Sequence, residues 1–276
     1  MSDPQVVSLG ITRYILGGWD LSVSADLLLQ GALLAQTILY MSLYKKDTFP
    51  LRFFVYGLTC LTTLKTIHGF VIFWYINVKN FMNVFAAADS LNAWWPGQIN
   101  LAFAALIAFY VQMFFCHRLW VISRNVWVVV PVLVLFVFAL IAAFVSVRFI
   151  STTGFNNNTW IPIHLGTVLA GDLLLCGSTA FFLLRTSKQV LPETAGMLHV
   201  ILRLTFQSAA PAAMCAFINI VCSQISSPQV VPGPAALLAT LANNSLPKLY
   251  ALSAMWTLNS RNDIHLAHSH GPTTSS

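Results

Sequence analysis

The chain has 276 residues, of which 57% are hydrophobic and only 8% are charged, and its formal net charge is +6. Soluble domains carry about 25% charged residues, so a chain this apolar lacks the polar side chains to cover itself in water. Most of its lysines and arginines lie at the ends of apolar runs, and they form no basic face, which argues against a nucleic-acid partner. We therefore expect a membrane protein whose main partner is the lipid bilayer.

Seven stretches are long and apolar enough to cross a bilayer, which takes about 20 residues of helix. In chain order they are Leu21–Leu43, Leu51–Ile76, Gly97–Val121, Val126–Val147, Trp160–Leu184, His199–Ser223 and Ala235–Thr257. The predicted fold class is all-α, an integral membrane bundle of seven transmembrane helices. We expect residues 1–20 to form an extracellular segment, residues 21–258 the seven-helix domain, and residues 259–276 a short, disordered cytoplasmic tail.

The distribution of lysine and arginine predicts the orientation, because cytoplasmic loops are enriched in both. We number the breaks between the seven predicted helices from the N-terminus. Nine of the lysines and arginines lie in or beside the odd-numbered breaks and the C-terminus, whereas three lie at the N-terminus or beside the even-numbered breaks. The nine are Lys45, Lys46, Arg52, Arg118, Arg124, Arg185, Lys188, Arg203 and Arg261, and the three are Arg13, Lys79 and Arg148. The N-terminus is therefore predicted outside and the C-terminus in the cytoplasm.

Two N-glycosylation sequons bear on this orientation. Asn157 begins one, in a break assigned to the outside, so the two predictions agree. Asn243 begins the other, inside the seventh helix, where we expect it to be unused. The exposed sequon and the lack of a retrieval signal favour the plasma membrane.

Several polar residues fall deep inside the predicted helices. An ionisable group at mid-membrane costs about 2.5–3.5 kcal/mol on insertion scales, so it usually faces the bundle interior and finds a partner. The deep ionisable residues are Lys65, His68, Asp172 and Lys248. The deep uncharged residues are Gln36, Gln112 and Asn243. Asp26 and Gln30 lie on one face of the first helix. Two interpretations stay open. In one, Asp172 pairs with a lysine and amides join helices; in the other, these residues line a cavity for a ligand or a proton.

The predicted cytoplasmic helix ends carry a second group of candidate residues. His117 and Arg118 end the third helix, where seven-helix receptors place an acidic-Arg-Tyr motif, although the acidic residue is missing here. Asn259, Ser260 and Arg261 end the seventh helix, where they can cap carbonyl groups and complement the helix dipole. Docking of a cytoplasmic partner is a second role for these residues.

Lys248 also stands where rhodopsins hold retinal, midway along the last helix, and a buried lysine can form a Schiff base. A protonated Schiff base needs a nearby carboxylate, and the third helix offers none. We therefore predict no cofactor. The sequence also shows no metal-ligand spacing and no HExxH, GxSxG or paired-carboxylate arrangement, so we do not expect an enzyme.

Segments in five helices carry a family resemblance. They are Gly31 to Tyr40, "IHGFVIFWYINVKNF" from Ile67, "QMFFCHRLWVIS" from Gln112, "AGDLLL" from Ala170 and "KLYALSAMWTLNSR" from Lys248. In combination they resemble the seven-helix proteins of mushroom-forming fungi defined by domain of unknown function 6534. The chain departs from that family at Leu252, where an asparagine is usual, and at "SAAPAAM" from Ser208. The resemblance implies a seven-helix fungal membrane protein in which Asp172 and Lys248 stand at family positions, and it implies no activity.

Three function hypotheses follow from these observations. The first is a receptor-like or sensory protein that binds a small or lipidic ligand near Lys65, Asp172 and Lys248 and signals through its cytoplasmic breaks. The second is a small transporter or channel that uses the same charges as a pathway. The third is a non-catalytic membrane scaffold.

Overall fold

The computed structural model of the protein describes residues 4–81, 83–153, 159–187, 212–225 and 233–269. Within these ranges the chain is helical and contains no strand. The helices are α1 (Pro4–Leu43), α2 (Phe49–Trp74), α3 (Val84–Ala93), α4 (Trp95–Ser123), α5 (Val126–Thr153), α6 (Trp160–Ser187), α7 (Ala212–Ile225) and α8 (Pro234–Ser269). A π-helical turn, Tyr75–Lys79, continues α2.

Five of the described segments are long and apolar enough to cross a membrane. They are Arg13–Leu43, Phe49–Lys79, Trp95–Ser123, Val126–Ile150 and Trp160–Arg185. An all-helical, membrane-embedded protein is therefore confirmed. The predicted sixth helix lies partly outside the described residues, and its described part is α7. The predicted seventh helix lies within α8. Because α8 contains many polar residues, it is not among the five apolar segments.

The first and last predicted helices extend further in the structure than the sequence predicted. Helix α1 begins at Pro4, so the predicted N-terminal segment is helical over most of its length. The predicted disordered tail is helical as far as Ser269, because α8 continues beyond the apolar stretch. The long break predicted at residues 77–96 contains part of the π-helical turn and the short helix α3.

Helices α4 and α8 occupy the interior of the described bundle. Helix α4 packs against α2, α3, α5, α6 and α8, and 56% of its most apolar window is buried. Helix α8 packs chiefly along α1 and also contacts α2 and α4. Helix α5 lies against α4 and α6, and only 28% of its apolar window is buried, which suits a helix that faces lipid.

Local sequence signals set several helix ends. Prolines occupy the first turns of α2 and α4, where a missing N–H costs nothing. The Asn83 side chain accepts a hydrogen bond from the Ala86 amide at 3.0 Å and caps α3. Helix α4 ends at Ser123, and the next residue, Arg124, has a positive φ of 51° that reverses the chain before α5.

Candidate functional site

One stripe of polar side chains on α8 faces α1. Asn244, Lys248 and Asn259 share a helix face, because spacings of four and eleven residues return to nearly the same angle. Their partners on α1 follow in the same order: Ser22, Gln30 and Gln36. The two helices therefore run parallel. Hydrogen bonds of this kind satisfy polar groups that the membrane interior would otherwise leave without partners.

Three charged side chains meet at the middle of this stripe and form what we call the Asp26 cluster. Lys65 Nζ of α2 lies 3.2 Å from Asp26 Oδ1 of α1, and Lys248 Nζ of α8 lies 3.5 Å from Asp26 Oδ2. The exposed fractions of the three residues are 2%, 4% and 0%. One carboxylate thus joins three helices in a region from which water is largely excluded.

The ammonium group of Lys248 uses all three of its hydrogens. It donates to Gln30 Oε1, to the Thr62 carbonyl at 2.7 Å and to Thr66 Oγ1 at 2.6 Å. The Thr66 hydroxyl in turn donates to Asp26 Oδ2 at 2.7 Å. Lys248 is therefore enclosed by α1 and α2 and has no hydrogen left for another partner.

Asp172 lies in a separate polar group, on the other side of α8. Its carboxylate accepts hydrogen bonds from Gln112 Nε2 of α4 at 3.2 Å and from the Tyr250 hydroxyl of α8. The interpretation that paired Asp172 with a lysine is therefore wrong. Tyr250 comes two residues after Lys248, about 200° around the helix, so the two side chains point to different neighbours.

The N-terminal half of α8 carries an asparagine network. Asn100 Nδ2 of α4 donates to Asn244 Oδ1 at 2.8 Å, and Asn244 Nδ2 donates to Ser22 Oγ and to the Thr240 carbonyl, each at 3.2 Å. Asn243 points elsewhere and accepts from Asn219 Nδ2 of α7 at 3.2 Å. Asn100 is only 4% exposed, and its Oδ1 has no hydrogen-bonding partner among the described residues.

The C-terminal end of α8 is tied to α1 and to the connection that follows it. Asn259 Nδ2 donates to the Gln36 carbonyl at 2.9 Å and to Gln36 Oε1 at 2.6 Å, so it joins helices instead of capping its own. Ser260 Oγ donates to the Thr257 carbonyl at 3.1 Å within α8, which continues to Ser269, so Ser260 does not cap a helix end. Arg261 bonds to Asp47 Oδ2 at 2.6 Å.

The remaining predicted residues do not join these groups. His68 is partly buried and stacks on Phe103 with ring centroids 5.8 Å apart. Among the described residues neither of its nitrogens makes a hydrogen bond of ordinary geometry, and its polar neighbour is the backbone of Pro96. His117 is exposed and lies edge-on to Trp120. Arg118 keeps one buried guanidinium nitrogen without a partner in the described part of the chain. Asn157 lies outside the described residues.

Two small pockets adjoin the polar groups. The first, beside the Asp26 cluster, is lined among others by Trp19, Ser22, Lys65, Asn100 and Asn244, and the space open to the centre of a water molecule is about 10 Å³. The second, lined among others by His164, Asn243 and Tyr250, offers about 20 Å³. These volumes hold about one or two water molecules.

Sequence reasoning left out several members of these groups. Thr62 and Thr66 complete the shell of Lys248, Tyr250 is the partner of Asp172, and Asn100 and Asn244 connect α4 to α8. One usable signal was the spacing of Asp26 and Gln30, which places a carboxylate and an amide on one helix face. Within the described residues, no three His, Cys, Asp or Glu side chains lie close enough to hold a metal ion.

Comparison with known proteins finds one family model that matches part of the chain and describes no activity. Residues 168–263, about a third of the chain, match the model described as "Family of unknown function (DUF6534)". The match runs from α6 to α8 and includes Asp172, Lys248 and Asn259, whereas the resembling segments of the first three predicted helices lie outside it. No curated protein and no solved structure matches the chain.

Proposed function

We propose that this chain, whose residues 168–263 form a DUF6534 region, is a receptor-like, non-catalytic protein with seven membrane spans and a fungal origin. In this proposal all described helices except α3 cross the bilayer, the N-terminus is outside, the C-terminus is cytoplasmic, and the plasma membrane holds the protein. The parallel course of α1 and α8 supports an odd number of spans, because two spans run parallel only when an odd number lies between them.

The observation that carries the receptor-like role is the double attachment of α8. At one level, Lys248 ties α8 to α1 and α2, while Tyr250 ties it to Asp172 of α6. Eleven residues further along, Asn259 ties α8 to α1 again. These levels are about 16 Å apart at 1.5 Å per residue.

Polar attachment of this kind suits a helix with two alternative positions. Membrane helices associate through close van der Waals packing without any buried charge, and a buried ion pair often adds no stability over apolar residues of the same volume. A small ligand that displaces α8 near Lys248 also changes the contacts of Asn259 and Arg261. The surface presented to a cytoplasmic partner then changes with ligand occupancy, which is how a receptor transmits a signal.

Hydrogen exchange in lipid nanodiscs tests this coupling. The variant Lys248→Met removes the middle attachment, so amide exchange at residues 256–261 is expected to rise although these residues keep their own contacts. Leu238→Ala, an exposed position on the same helix, is the control and leaves this region unchanged. If exchange rises only within one turn of residue 248, or rises equally in every helix, the coupling that the receptor proposal requires is absent.

A non-catalytic scaffold is the second candidate, and the small size of the two pockets favours it. A scaffold needs no coupling along α8, so the same exchange experiment separates it from the receptor. A small transporter or channel needs a continuous polar path, and no observation on the described residues favours one.

A further inference from the structure

The direction of the asparagine network is fixed by two backbone carbonyl groups, which can only accept hydrogen bonds. The Ser22 hydroxyl donates to the Trp19 carbonyl at 2.8 Å, so its oxygen accepts from Asn244 Nδ2 at 3.2 Å. The same Nδ2 donates to the Thr240 carbonyl at 3.2 Å. Asn244 therefore presents its Oδ1 to Asn100, and this oxygen accepts from Asn100 Nδ2 at 2.8 Å.

This arrangement leaves Asn100 Oδ1 as an acceptor whose partner is missing. Asn100 is 4% exposed, and its Oδ1 has no hydrogen-bonding partner within the described ranges. A buried polar atom without a partner is costly, so such atoms are usually satisfied by the protein or by ordered water. Asn100 lines the pocket beside the Asp26 cluster, so a partner for this oxygen has space there.

The Asp26 cluster brings further hydrogen-bonding capacity to the same pocket, because Lys65 and Asp26 both line it. Among the described residues Lys65 makes one hydrogen bond, to Asp26 Oδ1 at 3.2 Å, which leaves two of its three ammonium hydrogens. Asp26 Oδ1 accepts only this bond in the part of the chain that the structure describes, so it can accept another. The pocket thus combines one donor, Lys65, with two acceptor oxygens, those of Asp26 and Asn100.

These groups determine the chemistry of a molecule that fits the pocket. The two acceptor oxygens disfavour an anion, and the ammonium groups of Lys65 and Lys248 disfavour a cation. The space open to the centre of a water molecule is about 10 Å³, which admits one molecule of that size. The occupant must therefore be neutral, accept a hydrogen bond from an ammonium group and donate two, and water meets all three requirements.

We propose that this pocket binds one water molecule, which accepts a hydrogen bond from Lys65 and donates to Asp26 Oδ1 and Asn100 Oδ1. Three hydrogen bonds are the typical number for a buried water. The Asp26 cluster and the asparagine network then form one continuous network, in which Asn100 connects α4 to the charged groups of α1, α2 and α8. This inference does not depend on the receptor proposal, because the water can be a permanent part of the bundle whether or not α8 transmits a signal.

A double-mutant cycle tests the bridge by reversible unfolding of the full chain in mixed micelles. Lys65→Met removes the donor, and Asn100→Leu removes the acceptor. If one water joins the two side chains, the double variant should lose less than the two single variants together, by about 10-fold in the folding equilibrium constant. The matched control combines Lys248→Met with Asn100→Leu. Lys248 pairs with the same carboxylate but does not line the pocket, so these two mutations should be additive.

A structure of the wild-type protein in lipid nanodiscs, at a resolution that shows other buried waters, tests the site without any variant. We expect density for one water about 2.7–3.2 Å from Lys65 Nζ, Asp26 Oδ1 and Asn100 Oδ1. Additive effects in the Lys65 cycle, or equal coupling in the Lys65 and Lys248 cycles, would overturn the proposal. So would a pocket without such density.

Discussion

Lys248 and Lys65, which are 183 residues apart in sequence, share the carboxylate of Asp26. Their positions are not equivalent. Lys248 donates hydrogen bonds to groups of α1 and α2, whereas among the described residues Lys65 donates one, to Asp26, and lines a pocket. The two lysines therefore contribute differently to the cluster, and mutations can measure the difference.

Removing the acid should cost more stability than removing one base. In Lys248→Met, Asp26 keeps Lys65 as a partner, and the main loss is the set of hydrogen bonds to Gln30, Thr62 and Thr66. We expect this variant to lose about 1–3 kcal/mol. Asp26→Asn leaves two buried ammonium groups without a counter-ion and should lose about 3–5 kcal/mol.

Reversible unfolding in mixed micelles measures both free energies, and Leu249→Met is the control beside Lys248. Leu249 is partly buried among apolar residues, so this swap should change stability by less than about 1.5 kcal/mol. If Lys248→Met is as stable as the wild type, or more stable, the cluster does not hold the bundle together.

The bond between Tyr250 and Asp172 gives a second test. Tyr250→Phe deletes the hydroxyl and leaves the ring in place, so a buried carboxylate loses one of its two donors. The expected loss is about 1.5–3 kcal/mol, the range for a hydrogen bond to a charged group. A double-mutant cycle with Asp172→Asn isolates the pair. Additive effects of the two mutations would show that the hydroxyl and the carboxylate do not interact.

The contact between α5 and α6 depends on a glycine. A Cβ at Gly171 would lie 2.5 Å from Cε1 of Phe136, which is 1% exposed and cannot easily move. Gly171→Ala should therefore destabilise the protein by about 1–3 kcal/mol, the usual cost of overpacking. Gly166→Ala on the same helix is the matched control, because a Cβ there meets no atom within 4 Å. Phe136→Leu should restore part of the stability lost in Gly171→Ala, and no recovery would place the strain elsewhere.

Composition and apolar runs were enough to predict a helical membrane protein, because the cost of exposing backbone to lipid leaves few alternatives. The partner of each buried charge was not predictable in the same way. Lys248 was expected to face the interior, but whether it meets Asp172 or Asp26 depends on how α8 is rotated between α1 and α6. A rotation of α8 by about 200°, two residues at about 100° each, separates these outcomes, and no pattern in one sequence fixes that angle.

The ends of the helices were also not fully predictable from the sequence. The prediction ended the last helix near Thr257, where the apolar run stops, yet α8 continues to Ser269. Asn259 and Arg261 hold its continuation against Gln36 and Asp47, which are distant in sequence. A boundary set by tertiary contacts of this kind leaves no signal in local hydropathy.

Glycosylation tests the proposed orientation. If the N-terminus is outside, Asn157 of the sequon Asn157-Asn158-Thr159 faces the lumen of the secretory pathway during synthesis. The protein expressed in a eukaryotic host should then lose mass on treatment with peptide N-glycosidase, and Asn157→Gln should abolish that change. Asn243→Gln is the control, since this asparagine lies inside α8 and bonds to Asn219. A glycan that persists in Asn157→Gln and disappears in Asn243→Gln would require a different set of membrane spans.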